Sequence, residues 1–466
     1  MSNPTVDTPR STTSRLYPIE AFLADIGDIP ASVEPTELKR KSRDFFWFSP
    51  ILGPMLKNKF ADVIITPRDE ADVLCVASAC ARHCIPLTVR GGATGNYGQC
   101  VPLEGGVVLD VSRLGTVDWV RPGVVRVGAG AKMDWLDREL SPYGYEQRIH
   151  PSTKRSATVG GFVAGGSGGV GSVTYGGMRE PGNILAARVV SLEREPRVIE
   201  LRGDAAQKIN RAYGTTGIIT ALEMPVSPVL PWIDVIIAFD DFLDAVRYGQ
   251  KVALGDGIVK KLLSIVAWPL PRYFGALRRY CPEGRHLLIG MIAEASLETC
   301  KTLLDAARGE ITFEGRSDDS PGQVPLYEYT WGHTTLQVLK SDRTAAYLQC
   351  LFPGDRLVQS VRDANVRFGD ELMQHLEFIR FGGAVTASAL PVVRYTTPQR
   401  LNQIIAEHEA AGIMVANPHV YTLEDGSRHK RVDADQLGFK HEIDPLGLLN
   451  PGKMRSFVPR LPGASQ

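Results

Sequence analysis

Within thirteen residues, NPHVYTLEDGSRH (417–429), the chain places His419, Tyr421, Glu424 and His429. An imidazole, a phenol and a carboxylate are the groups that take up or deliver protons in general acid–base chemistry. On an extended strand His419 and Tyr421 would share a face, because alternate strand side chains point the same way. The competing reading is a histidine that only hydrogen-bonds within an interface. Arg380 and Arg394 carry the planar fork that can clamp a carboxylate, with a structural role as the plainer alternative. Tyr327, Tyr329 and His333 in LYEYTWGH alternate as on a packed sheet face and are read as structural.

Two glycine-rich stretches point to a different chemistry. PLTVRGGATGNYGQC (86–100) runs a strand into Gly91, Gly92, Ala93, Thr94 and Gly95. Successive amides unshielded by side chains can converge on one anion, a nest that suits a diphosphate. The glycines are not spaced G-x-G-x-x-G, and a loop and strand follow in place of a helix, which removes the Rossmann fingerprint. The second stretch, VGGFVAGGSGGVGSVTYGG (159–177), has nine glycines in nineteen residues. Flexible tethers are monotonous in Gly and Ser, whereas here Val159, Phe162, Val163, Val170, Val173 and Tyr175 are interleaved and must pack. With the small hydroxyls of HPSTKRSAT (150–158) before it, the region 150–177 reads as backbone pressed against a flat polar ligand.

Such segments need a scaffold. ADVIITP (61–67) reads as a strand, 68–84 as a helix and IPLTVRGG (85–92) as a second strand, a βαβ start. Segments 105–114 and 124–140 add two strands and a helix, so the texture is α/β to about residue 228. From 231 strands and helices lengthen into a second, α+β region, after a proline-marked exit, PVLPW. A comparable order of elements returns over 347–369 and 384–413, with self-similarity too faint to name a repeat.

Lys plus Arg and Asp plus Glu both number 52, so the formal charge is zero and nothing marks a nucleic-acid groove. LKRKSRD (38–44) precedes FFWFSPIL, a juxtaposition able to face a membrane or an acidic partner; the simpler reading is a charged helix end leading into a core-anchoring aromatic segment. The seven cysteines lack metal spacing, the amino end lacks a secretory apolar core, and no apolar run has membrane-spanning length. Reduced thiols and a cytoplasmic setting are expected.

VRGGATG paired with RSATVGGFVAGGSGG and TYG, then YGTTGIITALEMPVSP (213–228) and DPLGLLNPGKM (444–454), resembles the vanillyl-alcohol-oxidase-type (PCMH-type) FAD-linked oxidoreductases. The resemblance covers roughly 60–228 and 411–456. It implies an α+β protein with a two-subdomain PCMH-type FAD-binding domain over 36–228, an inserted α+β substrate (cap) domain over 229–410, and a C-terminal segment, 411–466, returning to the FAD domain, after a disordered tail over 1–35. By resemblance, Arg90, Gly91, Gly92, Ala93, Thr94 and Gly95 take the pyrophosphate through their backbone. Ser152, Ser156, Thr158, Gly160, Gly161 and Gly165 line the pyrophosphate and flavin; Gly217 and Ile218 lie on the adenine or ribitol side; Asn450 and Lys453 reach the isoalloxazine edge.

Thr94 and Ser156 stand where covalently flavinylated relatives have a histidine and a cysteine, so FAD is expected to be noncovalent, with His419 as the residual attachment candidate. The implied reaction is hydride transfer to flavin N5 from a small hydroxyl-bearing substrate, an alcohol or hydroxy acid, with a cap-side base, and a dehydrogenase is favoured over an oxidase. The electron acceptor, whether oxygen, a quinone or another carrier, has no linear motif. The metal-binding GHxGDGNxH of hydroxy-acid dehydrogenases is missing, so no metal is expected. Alternatives are a flavin-dependent C=C reductase or a non-catalytic flavin-binding subunit.

Overall fold

A computed structural model of the chain describes residues 16–319, 324–426 and 432–459. The βαβ start forms as the periodicity predicts. Val63–Ile65, Val107–Asp110 and Leu87–Arg90 are parallel neighbours, and Ala31–Ser32 adds antiparallel at the edge. The crossover helix Glu70–His83 is capped by the Asp69 side chain on the Asp72 amide and buries Val73, Val76, Ala77 and Cys80 against the sheet. The tail expected over 1–35 is ordered from residue 16: Ile19, Phe22 and Ile26 bury one face of the helix Ile19–Ile26 in the same core. Periodic apolar residues there offset the entropy of ordering the chain. Residues 1–15 lie outside the described residues.

A second sheet of six strands is built on the long strand Ile218–Pro228, flanked by Val124–Gly128 and Ala186–Val190 and sharing the first sheet's core. These two sheets hold the glycine-rich segments.

The region that follows has an internal symmetry. Trp232–Phe239, Lys260–Val266, His286–Ala293 and Gly309–Arg316 are its first four strands, with helices Phe242–Leu254 and Leu297–Asp305 after the first and third. Gln349–Leu351, His375–Phe381, Ala384–Ala389 and Met414–Ala416 repeat that order with helices Leu357–Phe368 and Pro398–Ala410. Each set of four is arranged fourth, first, third, second across the sheet, a βαββαβ unit. The two second strands pair antiparallel, joining the halves into one eight-stranded sheet. Met414–Ala416, pairing with Gln349–Leu351, completes the second half, so the cap extends past the boundary expected at 410. The helix Ala434–Ile443 and the tail behind it return to the first core, where Leu449 bridges to Leu87 beside the glycine loop. Among the described residues no helix is long and apolar enough to cross a membrane.

Candidate functional site

Where the FAD-side sheets meet the cap, a cleft of about 370 Å³ opens, within the range of small-molecule sites. Gly91, Gly92, Ala93, Thr94, Gly95, Ser152, Thr158, Gly160, Gly161, Gly165 and Gly217 all lie on its wall. The strand Leu87–Arg90 delivers the first loop to the cleft, and Arg90 anchors the turn by donating to the carbonyls of Lys41 and Arg43. Ala93 sits at φ +50°, a conformation costly for a residue with a Cβ and found where backbone is shaped for a ligand. The amides of Ala93, Thr94, Gly95 and Asn96 have no acceptor among the described residues. Thr158 caps the helix Val159–Gly165 through Oγ1, which accepts from Gly161 N at 3.3 Å and from Gly92 N at 3.4 Å, tying both glycine segments together.

The other expected cofactor residues act from behind. Asn450 Nδ2 donates to the carbonyls of Gln99 and Tyr213, and Lys453 Nζ to that of Gly98 at 2.5 Å. They brace the loop and are not on the cleft wall. Ser156 turns its hydroxyl onto the Thr153 carbonyl, and Ile218 is buried while its neighbour Ile219 faces the cleft.

The expected catalytic cluster does not face the cleft. His419 is buried, donating from Nε2 to the Tyr347 carbonyl at 2.8 Å, which leaves Nδ1 to accept from the Ser49 hydroxyl at 2.7 Å. Burial holds its pKa down to about 4, so it is a neutral structural bridge. Tyr421 packs on Leu52, Leu56 and Val101 under the Lys453 ammonium, and Glu424 accepts from the amides of Arg455 and Ser456. His429 lies outside the described residues. Neither clamp candidate reaches the cleft: Arg380 pairs with Asp256 at 2.6 Å, and Arg394 is exposed at the end of its strand. His419, Tyr421, Glu424 and Arg380 found their partners through tertiary contacts that spacing does not encode.

His419 makes a clean pH probe. A histidine whose folded pKa is depressed from 6.5 to about 4 contributes stability that is lost as pH falls through that window. Asp44 and Asp234, pushed up to about 6 mainly by burial, act in the opposite direction over the same range. The comparison is therefore against His419→Gln, which can keep both hydrogen bonds. Between pH 7 and 4 the unmodified protein should lose about 3 kcal/mol more than the variant in urea titrations.

The cleft wall carries groups that the sequence reading set aside as structural or passed over. His333 projects from the helix Gly332–Leu339 in the connection between the cap halves. Its Nδ1 bonds the Glu328 carbonyl at 3.2 Å, which fixes the proton there, and among the described residues no partner takes Nε2. Burial lowers its pKa, so the ring is neutral at neutral pH and Nε2 is a free lone pair. Trp331, at φ +53°, leaves its buried Nε1 without a partner, and the ring crowds Gly168 on the opposite wall. Its backbone amide donates to Glu377 Oε1 at 2.6 Å. That buried oxygen also accepts from Ser264 at 2.9 Å and lies 2.8 Å from His375 Nε2. Arg211 is the one guanidinium on the wall among the described residues, beside Tyr213, which stands inside the quoted YGTTG motif. Asp44, Tyr97, Cys100 and Tyr347 complete the titratable lining. Among the described residues no group of three or more metal-ligating side chains is assembled.

Free amides in a left-handed turn, a cap-side indole donor and glycine backbone on the facing wall fit a long dinucleotide carrying a diphosphate and a flat ring system. Residues 61–194 match the family model described as FAD binding domain. That segment is a PCMH-type FAD-binding domain. It is 28% identical over 218 residues to a D-lactate dehydrogenase of Archaeoglobus fulgidus, covering 44% of this chain and 47% of that one. The glycolate oxidase subunit GlcD of Escherichia coli K12 is 25% identical over 207 residues, 42% of this chain and 41% of the relative. The chain thus spans about half the length of the curated relatives it matches. A solved alkyldihydroxyacetonephosphate synthase shares the fold across both the FAD side and the cap, with a TM-score of 0.70 at 15% identity over 97% of this chain and 88% of that one.

Proposed function

We propose that the protein is an FAD-dependent oxidoreductase that oxidises a hydroxyl-bearing small molecule, an alcohol or hydroxy acid, as a dehydrogenase. The observation that carries this reading is the meeting, in one cleft, of unpartnered loop amides and a neutral histidine with a free Nε2. The names of the relatives, D-lactate dehydrogenase and glycolate oxidase subunit, support a hydroxy acid.

Bound FAD supplies a two-electron acceptor for the hydrogen on the carbinol carbon. The amides of Ala93–Asn96 would hold its diphosphate, and the Trp331 indole N–H would be a further donor. His333 Nε2 takes the hydroxyl proton, and the Glu328 carbonyl on Nδ1 steadies the resulting imidazolium. Arg211 offers two parallel donors to a carboxylate or other anionic group. The test is anaerobic addition of hydroxy acids, alcohols and polyols to the yellow holoprotein. Bleaching of the flavin band by one class establishes the reaction; a protein that cannot be loaded with FAD defeats it. A competing reading, reduction of a C=C bond, draws on the apolar wall residues Phe45, Phe48, Leu336 and Leu390. It predicts that no hydroxyl donor bleaches the flavin and that an alkene substrate reoxidises it.

FAD is proposed to be noncovalent. Thr94 and Ser156 are poor partners for a flavin bond, and burial pushes the Cys100 thiol on the wall up to about 12, far from a thiolate. Acid precipitation should leave all the yellow colour in the supernatant and a colourless pellet.

A further inference from the structure

Between Lys39 and Lys59 the surface has a one-sided chemistry. Lys39, Arg40, Arg43, Lys57 and Lys59 share a stretch whose single acid, Asp44, is buried, while Lys41 is taken by an ion pair with Asp110. In the same stretch Phe45 is 37%, Trp47 39% and Met55 52% exposed. Arg43 joins the two basic flanks by donating to the Lys57 carbonyl, and Arg343 lies over the Trp47 ring from the cap, 5.1 Å from its centroid. Of the acids at its margin, Glu37 lies 3.6 Å from Arg40, and Asp342 accepts from Thr344. Beneath the exposed side chains Phe46, Leu52, Leu56 and Val101 form a small rigid cluster, so the aromatic residues stand on a fixed base.

We propose that this face docks the protein on an anionic lipid surface, with Phe45, Trp47 and Met55 entering the headgroup region and the flanking lysines and arginines on the lipid phosphates. Aromatic and sulfur side chains beside clustered cations, with no exposed acid among them, are the chemistry of interfacial anchors. An acidic soluble partner would satisfy the cations and leave the three apolar side chains without a role. The face is continuous with the cleft. Phe45 and Phe48 line it, and the Phe45 amide donates to the Gly95 carbonyl at 2.8 Å. A docked molecule therefore presents the cleft beside the bilayer, where an apolar substrate or a lipid-soluble electron acceptor would be met.

Flotation of the FAD-loaded protein tests this, using vesicles of phosphatidylcholine alone and of equal parts phosphatidylcholine and phosphatidylglycerol. Binding to the anionic vesicles only, weakened at high salt, is expected. Trp47→Ser with Met55→Ser should reduce partitioning about tenfold, and Lys39→Glu with Arg40→Glu should do so at low salt. Retained FAD absorbance shows that the variants are folded. No flotation with anionic vesicles, flotation unaltered in the apolar variant, or salt-sensitive binding to polyglutamate without vesicle binding would each overturn the proposal, whatever substrate the cleft takes.

Discussion

Replacing His333 with glutamine should slow substrate-driven flavin reduction by roughly 10² to 10³-fold while leaving the FAD in place. The ring is the one imidazole on the cleft wall among the described residues, and its tautomer is set by the Glu328 carbonyl. Glutamine can preserve a donor to that carbonyl but offers no basic lone pair, so the loss reports proton acceptance. A pH profile sharpens the point. Because burial lowers the pKa of His333, the free protein's kcat/KM should fall in acid below the ordinary histidine value of about 6.5, and that limb should vanish in the variant. His419→Gln is the matched control and should retain the acid limb, since both nitrogens of His419 are occupied away from the cleft. Equal reduction rates in the two variants would remove His333 from the reaction.

The second large effect is expected on cofactor binding. A Cβ at Gly92 would stand 2.2 Å from the Ser156 carbonyl oxygen and 3.1 Å from the Ala157 Cα. Both neighbours are backbone, pinned by the bonds of Ser156 and Ala157 to the Thr153 carbonyl, so the loop must be the part that moves. Displacing it turns the amides that follow away from the diphosphate, and hydrogen bonds to a charged group are worth about 1.5–3 kcal/mol each. Gly92→Ala should therefore weaken FAD binding roughly a hundredfold and yield mostly colourless protein, measured by quenching of flavin fluorescence during titration. Gly165→Ala, with open space around the added methyl, should cost far less.

The glycine-lined wall of the cleft was readable because its signal is local. Glycines after a strand, with apolar residues between the glycines of the second segment, state that backbone must approach something closely, and the loop at Gly91–Gly95 and the wall at Gly160–Gly165 are where that reading put them. The proton-handling side was not readable in this way. The alternation of Tyr327, Tyr329 and His333 suggested a sheet face, but Leu326–Tyr329 is a tight turn and Trp331 reverses the chain, so His333 points into the cleft from a helix. His419 looked catalytic because its neighbours in sequence are polar, whereas its partner Ser49 is 370 positions away. Asn450 and Lys453, expected by resemblance at the isoalloxazine edge, are off the cleft wall, and only the packing shows that they hold the loop from behind. The symmetry of the cap is carried by strand order, which survives when side chains have diverged.

That symmetry is broken at the cleft. Among the described residues the first half of the cap lends no side chain to the wall; Tyr347, Gln349, Ser388, Leu390 and Ala416 come from the second half or its edge, and Trp331, Gly332, His333 and Leu336 from the connection between the halves. The first half works from behind instead: the Lys261 carbonyl accepts from the Gly171 amide, and Ser264 donates to the Glu377 carboxylate that holds the Trp331 amide. The stretch 324–344 is thus a hinge-pin of composition: it can be rewritten without touching a strand of either half, and every change in it at 331–333 or 336 reaches the wall directly.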